Sequence, residues 1–416
     1  MLKGIPDCGC GKIHRCDIGC VEISHNALEK LPALTAKFHH ILLVADTNTY
    51  SVCGGRVSEI LKKQTEDRMV YESEGFLVPD ERAVEILGKK VTGQTDFILG
   101  IGSGVISDLC KYVSFQKGLP YGIAATAPSM DGYASVGAAM ITGGMKITYP
   151  AHVPYLIAAD PDLLKKAPLE MIKSGYGDII GKYSALNDWE LSCEINGEYF
   201  CRTVYDLVYD RVQKVELMGS RLSERREEDI KTLMEALVAV GIAMSYVGNS
   251  RPASGSEHHL SHFFEVVGIL KKEPYFHHGI DVAYSSVITQ SLRERILTVD
   301  FPRKTTDFDR SRWENAIREI YGAAAAGIIQ LQDKLGWYEQ DRTAAYQRHW
   351  KNMKEILKKA PSAEYMMRLL QEAGLSFGEF TRRYREEKIE AAVWYAKDLK
   401  DRYTVLWLYY DLIFRG

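Results

Sequence analysis

The sequence predicts an α/β domain on a mostly parallel sheet, followed by an all-α domain. Two observations carry this. From about residue 40, short apolar runs alternate with helical patterns, and strands separated by helices of that length pair in parallel through right-handed crossovers. After about Pro168 the strand pattern fades and long amphipathic segments take over. The 416 residues fit two domains, at roughly 100–200 residues each.

HILLVAD (40–46) reads as a strand ending in the turn-prone TNTY, and GGRVSEILKK (54–63) as the helix after it. MVYES (69–73) is strand-like, DERAVEILGKK (80–90) helical, DFILGIG (96–102) a strand, SGVISDLCKYVSFQKG (103–118) a helix, and LPYGIAAT (119–126) the next strand. This places the α/β, dinucleotide-binding domain over 1–168, with 1–39 as an N-terminal extension, and the all-helical domain over 169–416. Segments such as SERREEDIKTLMEALVAVGIAMSYVG and WENAIREIYGAAAAGIIQLQDKLGW carry the helical period. The most apolar stretch, Leu233–Gly248, is interrupted by Glu235 and falls short of the roughly 20 residues a bilayer requires. It reads as a buried core helix.

Composition excludes several classes. The 52 basic and 55 acidic side chains leave a net charge of -3, which offers nothing to nucleic acid or to a membrane surface. The start, MLKGIPDCGCGKIHRC, lacks the apolar core of a signal peptide, so a cytoplasmic protein is expected. Eight cysteines are then thiols or metal ligands before they are disulfides. Cys8, Cys10, His14 and Cys16 stand within nine residues, a spacing that suits either a small zinc site or a reduced, unliganded hairpin.

The strand DFILGIG runs into Gly102, Ser103 and Gly104 and then a helix containing Asp108. Glycines there let a backbone approach a pyrophosphate, and the free amides of the helix start attract its charge; the bland reading is a plain strand-to-helix turn. Asp46 ends an earlier strand, where a carboxylate either accepts hydrogen bonds from a ribose diol, favouring NAD over NADP, or caps a helix. The stretch ATAPSMDGYASVGAAMI (125–141) offers Thr126, Ser129, Asp131 and Ser135 among small residues, as a cofactor edge or as a polar loop.

Five of the eleven histidines lie in SGSEHHLSH and YFHHG. A catalytic divalent metal takes about three imidazole or carboxylate ligands and keeps a position open. Asp178, after a glycine at the start of an apolar helical pattern, is the acid expected to join them; its other reading is an N-terminal helix residue.

The runs GIGSGVISD, TAPSMDGYAS, GYGDIIGKYSALNDWEL, SRPASGSEHHLSH and HHG, in this order, resemble the bacterial branch of the sn-glycerol-1-phosphate dehydrogenases. That family lies within the superfamily of iron-containing alcohol dehydrogenases and dehydroquinate synthase-like proteins. The resemblance covers about residues 40–290 and implies the dehydroquinate synthase-like fold. It implies reversible reduction of dihydroxyacetone phosphate to sn-glycerol 1-phosphate with NAD or NADP, for phospholipid metabolism, in a cytoplasmic homodimer. It implies Asp178, His258 and His278 as ligands of zinc, nickel or iron. His262, one turn after His258 and on the same helix face, would reach the substrate, whereas His259 and His277 would lie behind the ligands or on the surface. Asp131 would bind a substrate hydroxyl, Ser135 and Lys146 would lie near the nicotinamide, and Lys182 or Arg251 would meet the phosphate. The competing readings are a glycerol dehydrogenase, a sugar-phosphate cyclase of the dehydroquinate synthase type, and a non-catalytic metal-binding or interaction protein.

Overall fold

The computed structural model describes residues 1–72, 77–143, 145–304 and 307–413. Six strands form one parallel sheet: β1 (Cys20–Ile23), β2 (Ile41–Asp46), β3 (Thr65–Tyr71), β4 (Phe97–Gly102), β5 (Tyr121–Ala125) and, after a hairpin, β8 (Leu156–Ala159). Their order is β1-β8-β5-β4-β2-β3, with Ile98 opposite Tyr121 and Ile41 opposite Phe97. The hairpin pairs β6 (Gly137–Thr142) with β7 (Met145–Pro150). Every residue of β4, β5 and β8 is buried, as expected of central parallel strands covered on both faces.

Numbering α-helices of six residues or more, the α/β part carries α1 (Gly55–Ile60), α2 (Glu81–Lys90) and α3 (Gly104–Lys117). All follow strands where the sequence places helices. Beyond Pro168 come α4 (Leu169–Ile180), α5 (Lys182–Asn196), α6 (Arg202–Glu216), α7 (Glu227–Val247), α8 (Ser256–Lys271) and α9 (His278–Leu297). The series ends with α10 (Arg310–Tyr321), α11 (Ala325–Leu335), α12 (Thr343–Leu357), α13 (Ala363–Glu372), α14 (Phe377–Tyr395) and α15 (Val405–Ile413). No strand is assigned after β8 among the described residues.

The chain divides into two compact units that alternate along the sequence. The first comprises Met1–Thr142, Lys146–Ile179 and Gln213–Ser250; the second comprises Gly143–Met145, Ile180–Val212 and Arg251–Gly416. The sequence reading drew a single cut at residue 168; here α4 and α7 go with the sheet. The reason is apolarity on every side of α7 from Ala236 onward, a stretch that needs cover all round. At 21 residues it is longer than the sequence reading allowed, and by length and composition alone it could cross a bilayer. Yet 78% of its most apolar window is buried, against β1 and the loops that follow β5 and β8. The N-terminal extension is no appendage either: β1 is an edge strand of the sheet, its Cys20 opposite Leu156.

Candidate functional site

In the first unit, β4 turns into α3 through Gly102 and Ser103. A Cβ on Gly102 would lie 2.6 Å from Ile106, so the absence of a side chain lets the helix start sit directly on the strand end. The Thr126 amide donates to the Gly102 carbonyl at 3.0 Å, joining the β5 terminus to the same turn. Asp46 ends β2 and is an N-cap: its Oδ1 accepts from the Thr49 amide at 2.8 Å, and the Thr49 hydroxyl answers the Asp46 amide. The capping alternative is therefore realised.

The loop after β5 is clamped between two helices by close backbone approach. A Cβ on Gly175 of α4 would fall 1.8 Å from the Pro128 carbonyl oxygen, and one on Gly241 of α7 would fall 2.8 Å from that of Asp131. Ser174 Oγ donates to the Ser129 carbonyl at 3.0 Å, Ser245 Oγ to that of Ala134 at 2.7 Å, and the Asp131 amide to Asp178 Oδ2 at 3.0 Å. Asp178 is fully buried. It is the tenth residue of α4 and not, as the sequence pattern had implied, at a helix start.

Beneath this loop lies Lys111, which the sequence reading passed over. Its ammonium donates to the carbonyls of Gly132 and Gly137 at 2.7 and 2.9 Å and to Ser135 Oγ at 3.0 Å, with Asp108 at 3.4 Å. Burial pushes the Lys111 pKa down, opposed by the charge of Asp108. The single Ser135 hydroxyl proton faces the same two carbonyls, at 3.0 and 2.9 Å. Ser135 and Asp108, expected at the cofactor, thus belong to the network that shapes the loop. Lys146 lies on β7, half-buried, near enough for its charge to favour ionised Asp108 against the upward push of burial and alongside Lys111.

In the second unit three imidazoles converge. The ring of His258 is 6.0 Å from that of His262 and 5.1 Å from that of His278, and the last two stack at 5.4 Å. His258 and His262 stand on one face of α8, as their spacing predicts, and His278 opens α9. Each outer ring has one nitrogen engaged. Glu257 Oε1 accepts from His258 Nδ1 at 2.7 Å, and Ser261 Oγ lies 3.3 Å from His278 Nδ1. Glu257 is fully buried; burial raises its pKa, but the bond and charge of His258, the Gly255 amide and the charge of Lys182 more than offset this and hold it below the usual range. A carboxylate behind an imidazole fixes its tautomer and turns the other nitrogen outward.

His259 and His277 diverge from this set. His259 is wholly buried with neither ring nitrogen hydrogen-bonded, and burial, followed by the charges of Arg402, Lys400 and Arg251, keeps its pKa well below 6.5. His277 is the N-cap of α9. Lys182 opens α5, wholly buried. Arg251, expected at a phosphate, is instead tied into the protein: its guanidinium donates twice to Glu198, to the Tyr403 carbonyl at 2.9 Å and to Ser192 Oγ at 3.1 Å. Cys16, expected beside Cys8, Cys10 and His14, is not among the ligand atoms that converge with them. Its thiol pKa is raised by burial, against a hydrogen bond from the Ile18 amide.

The motif NDWE within α5 proves to be an anchor for α8. Asp188 Oδ2 accepts from the Ser256 amide at 2.6 Å, and its Oδ1 from the Val405 amide at 2.9 Å and Arg293 Nη2 at 2.7 Å. Arg293 further meets Asn187 Oδ1 at 2.8 Å and the Ser184 carbonyl at 3.1 Å. The pair is buried, and the Ser256 amide it holds stands one residue before the Glu257–His258 couple.

Residues 22–168 match the family model described as iron-containing alcohol dehydrogenase. The chain is 35% identical over 296 residues to the glycerol-1-phosphate dehydrogenase [NAD(P)+] of Halalkalibacterium halodurans, covering 69% of this chain and 73% of that one. Identity to the enzyme of the same name from Bacillus licheniformis is 28% over 413 residues, 98% of this chain and 92% of the other. Among solved structures, the iron-containing alcohol dehydrogenase of Thermococcus thioreducens superposes with a TM-score of 0.59 at 16% identity, over 91% of each chain. The glycerol dehydrogenase of Schizosaccharomyces pombe does so with 0.55 at 17% identity, over 86% of this chain and 92% of that. These neighbours share the fold, while the nearer relatives decide the lineage: the chain belongs to the glycerol-1-phosphate dehydrogenase family, in the iron-containing alcohol dehydrogenase superfamily.

Proposed function

We propose that the protein reversibly reduces dihydroxyacetone phosphate to sn-glycerol 1-phosphate, using NAD or NADP and a divalent metal. The observation that carries this is the trio of imidazoles on α8 and α9, with Nδ1 of His258 against Glu257 and Nδ1 of His278 against Ser261. That donor set fits a metal; the family resemblance adds Asp178 as the third ligand, and the names of the relatives supply the substrate. Imidazoles with a carboxylate suit zinc, nickel or iron, and availability chooses among them. The resemblance also carries a cytoplasmic homodimer.

When bound, the metal polarises the ketone oxygen as a Lewis acid, and the nicotinamide supplies the hydride. The protein's own groups do the rest. Glu257 and Ser261 fix the orientation of His258 and His278. Backbone amides at Gly102–Gly104 and the start of α3 receive the cofactor pyrophosphate, with Thr126 and Ser129 along its edge and Lys146 towards the nicotinamide. Asp131, set by the loop clamp, takes a substrate hydroxyl. His262 holds the proton that the alcohol oxygen gains, an imidazole being able to give it up near neutral pH. Lys182 meets the phosphate; Arg251, already engaged, is left out of that role.

A cationic partner for the phosphate contributes about 1.5–3 kcal/mol through charge-assisted bonds, so dihydroxyacetone phosphate should exceed dihydroxyacetone in kcat/KM by at least about tenfold. The rate of NADH oxidation, read by absorbance with each ketone, tests it. Lys182→Ala should erode the ratio, and the ratio cancels damage common to both substrates, such as the loss of a cation near Glu257. Equal rates would point to a glycerol dehydrogenase; phosphate release without net NADH consumption would point to a cyclase.

Asp46 gives a separate expectation. A carboxylate beside the adenine ribose repels a 2'-phosphate, so NADH should be used better than NADPH and Asp46→Asn, which can still cap the helix, should narrow the gap. Preference of the unaltered enzyme for NADPH would leave Asp46 as a cap and nothing more.

A further inference from the structure

The first unit holds a second group of soft ligands, away from the motifs used above. Residues 5–14 form a small hairpin closed by paired backbone bonds between Ile5 and His14, at 2.8 and 3.1 Å. Gly9 and Gly11 take φ of 75° and 83°, left-handed conformations that side chains rarely adopt, and these reversals bring two sulfurs to one place. Cys8 Sγ and Cys10 Sγ each lie 3.3 Å from His14 Nε2.

The imidazole is oriented for this. His14 is 1% exposed, and its Nδ1 lies 3.0 Å from the Tyr246 carbonyl oxygen, near the end of α7. A carbonyl can only accept, so Nδ1 carries the proton and Nε2 presents its lone pair to the sulfurs. An imidazole whose far nitrogen donates to a backbone carbonyl is the usual support of a metal-bound histidine. In the reduced, metal-free hairpin one thiol can donate to this lone pair while Cys10 Sγ turns to the Lys12 carbonyl at 3.6 Å; a metal would use both sulfurs and the lone pair together.

We propose that Cys8, Cys10 and His14 bind a structural zinc ion, the cysteines as thiolates and His14 through Nε2, with a fourth donor completing the tetrahedron. Binding releases the two thiol protons to solvent. The ion fastens the N-terminal hairpin to the C-terminal end of α7, where the Tyr246 hydroxyl also meets the Met1 carbonyl. The same helix backs the Asp131 loop through Gly241 and Ser245. This proposal is independent of the dehydrogenase reading.

The test removes the other metal first. The full-length His258→Ala/His278→Ala variant, purified with a thiol reductant, should retain a zinc ion by elemental mass spectrometry. Exchanged for cobalt, it should show a thiolate-to-metal charge-transfer band in the near ultraviolet, which ligands without sulfur cannot give. Adding Cys8→Ser and Cys10→Ser should remove both the ion and the band and open residues 1–16 to proteolysis. Should that variant fail to fold, Cys10→His, which keeps a ligand, should retain the ion with a weakened band. A cobalt form without the band, unchanged zinc in a folded Cys8→Ser/Cys10→Ser variant, or a Cys8–Cys10 disulfide in the reduced preparation would each overturn the proposal.

Discussion

Changing His258 or His278 to alanine is expected to empty the proposed metal site and to lower kcat/KM for dihydroxyacetone phosphate by about a thousandfold or more. Lewis-acid polarisation of a carbonyl contributes several kcal/mol to the transition state, and about 4 kcal/mol corresponds to that factor. The two rings are held by different partners, Glu257 and Ser261, so neither can substitute for the other. His277→Ala should keep metal and turnover. His259→Ala should keep the metal but lose roughly 2 kcal/mol of stability, because it empties a fully buried position. Metal content of the four purified variants decides the matter. A His259 variant without metal beside a His258 variant that retains it would reverse the assignment.

The second large effect is structural and lies one step behind the histidines. Asp188→Ala should destabilise the protein by about 3–5 kcal/mol, since it leaves the buried Arg293 guanidinium without its counter-charge. It also orphans the Ser256 amide at the start of α8 and the Val405 amide at the start of α15. Metal affinity should fall with it, because α8 enters His258 directly from that anchor. Replacing both partners by apolar residues, Asp188→Leu with Arg293→Met, should recover part of the loss in stability. A double-mutant cycle on urea unfolding midpoints measures this. Single variants that unfold with the unaltered protein would show the ion pair to be dispensable.

Much of this was legible in the sequence, for physical reasons. Strands β2, β4 and β5 are apolar runs that end at turn residues, and the helix after β3 keeps a clear period. β1 and β8 are four residues each, too short to rise above background, and their pairing spans more than a hundred residues. His258 and His262 were readable because a helix imposes the i, i+4 face. Glu257 was not, since its role arises at a helix start where neighbouring side chains converge; nor was Asp188, whose partners Ser256, Arg293 and Val405 are far along the chain. Lys111 was not legible either, since its partners Gly132, Ser135 and Gly137 lie more than twenty residues away in the stretch after β5. Asp178 was expected at a helix start, because GYGD reads locally as one, whereas α4 begins nine residues earlier.

The alternation of the two units along the chain bears on how the protein is made. A domain commonly folds once its own residues have left the ribosome, earlier ones first. Here the sheet waits for β8 to pair with β1, and its unit waits further for α7, by which time Ile180–Val212 of the other unit has already been synthesised. Neither unit can therefore be finished before the other is begun. A nascent chain stopped at residue 168 would hold all six strands yet lack the apolar helix that covers the end of the sheet, and would depend on chaperones to keep that surface from aggregating.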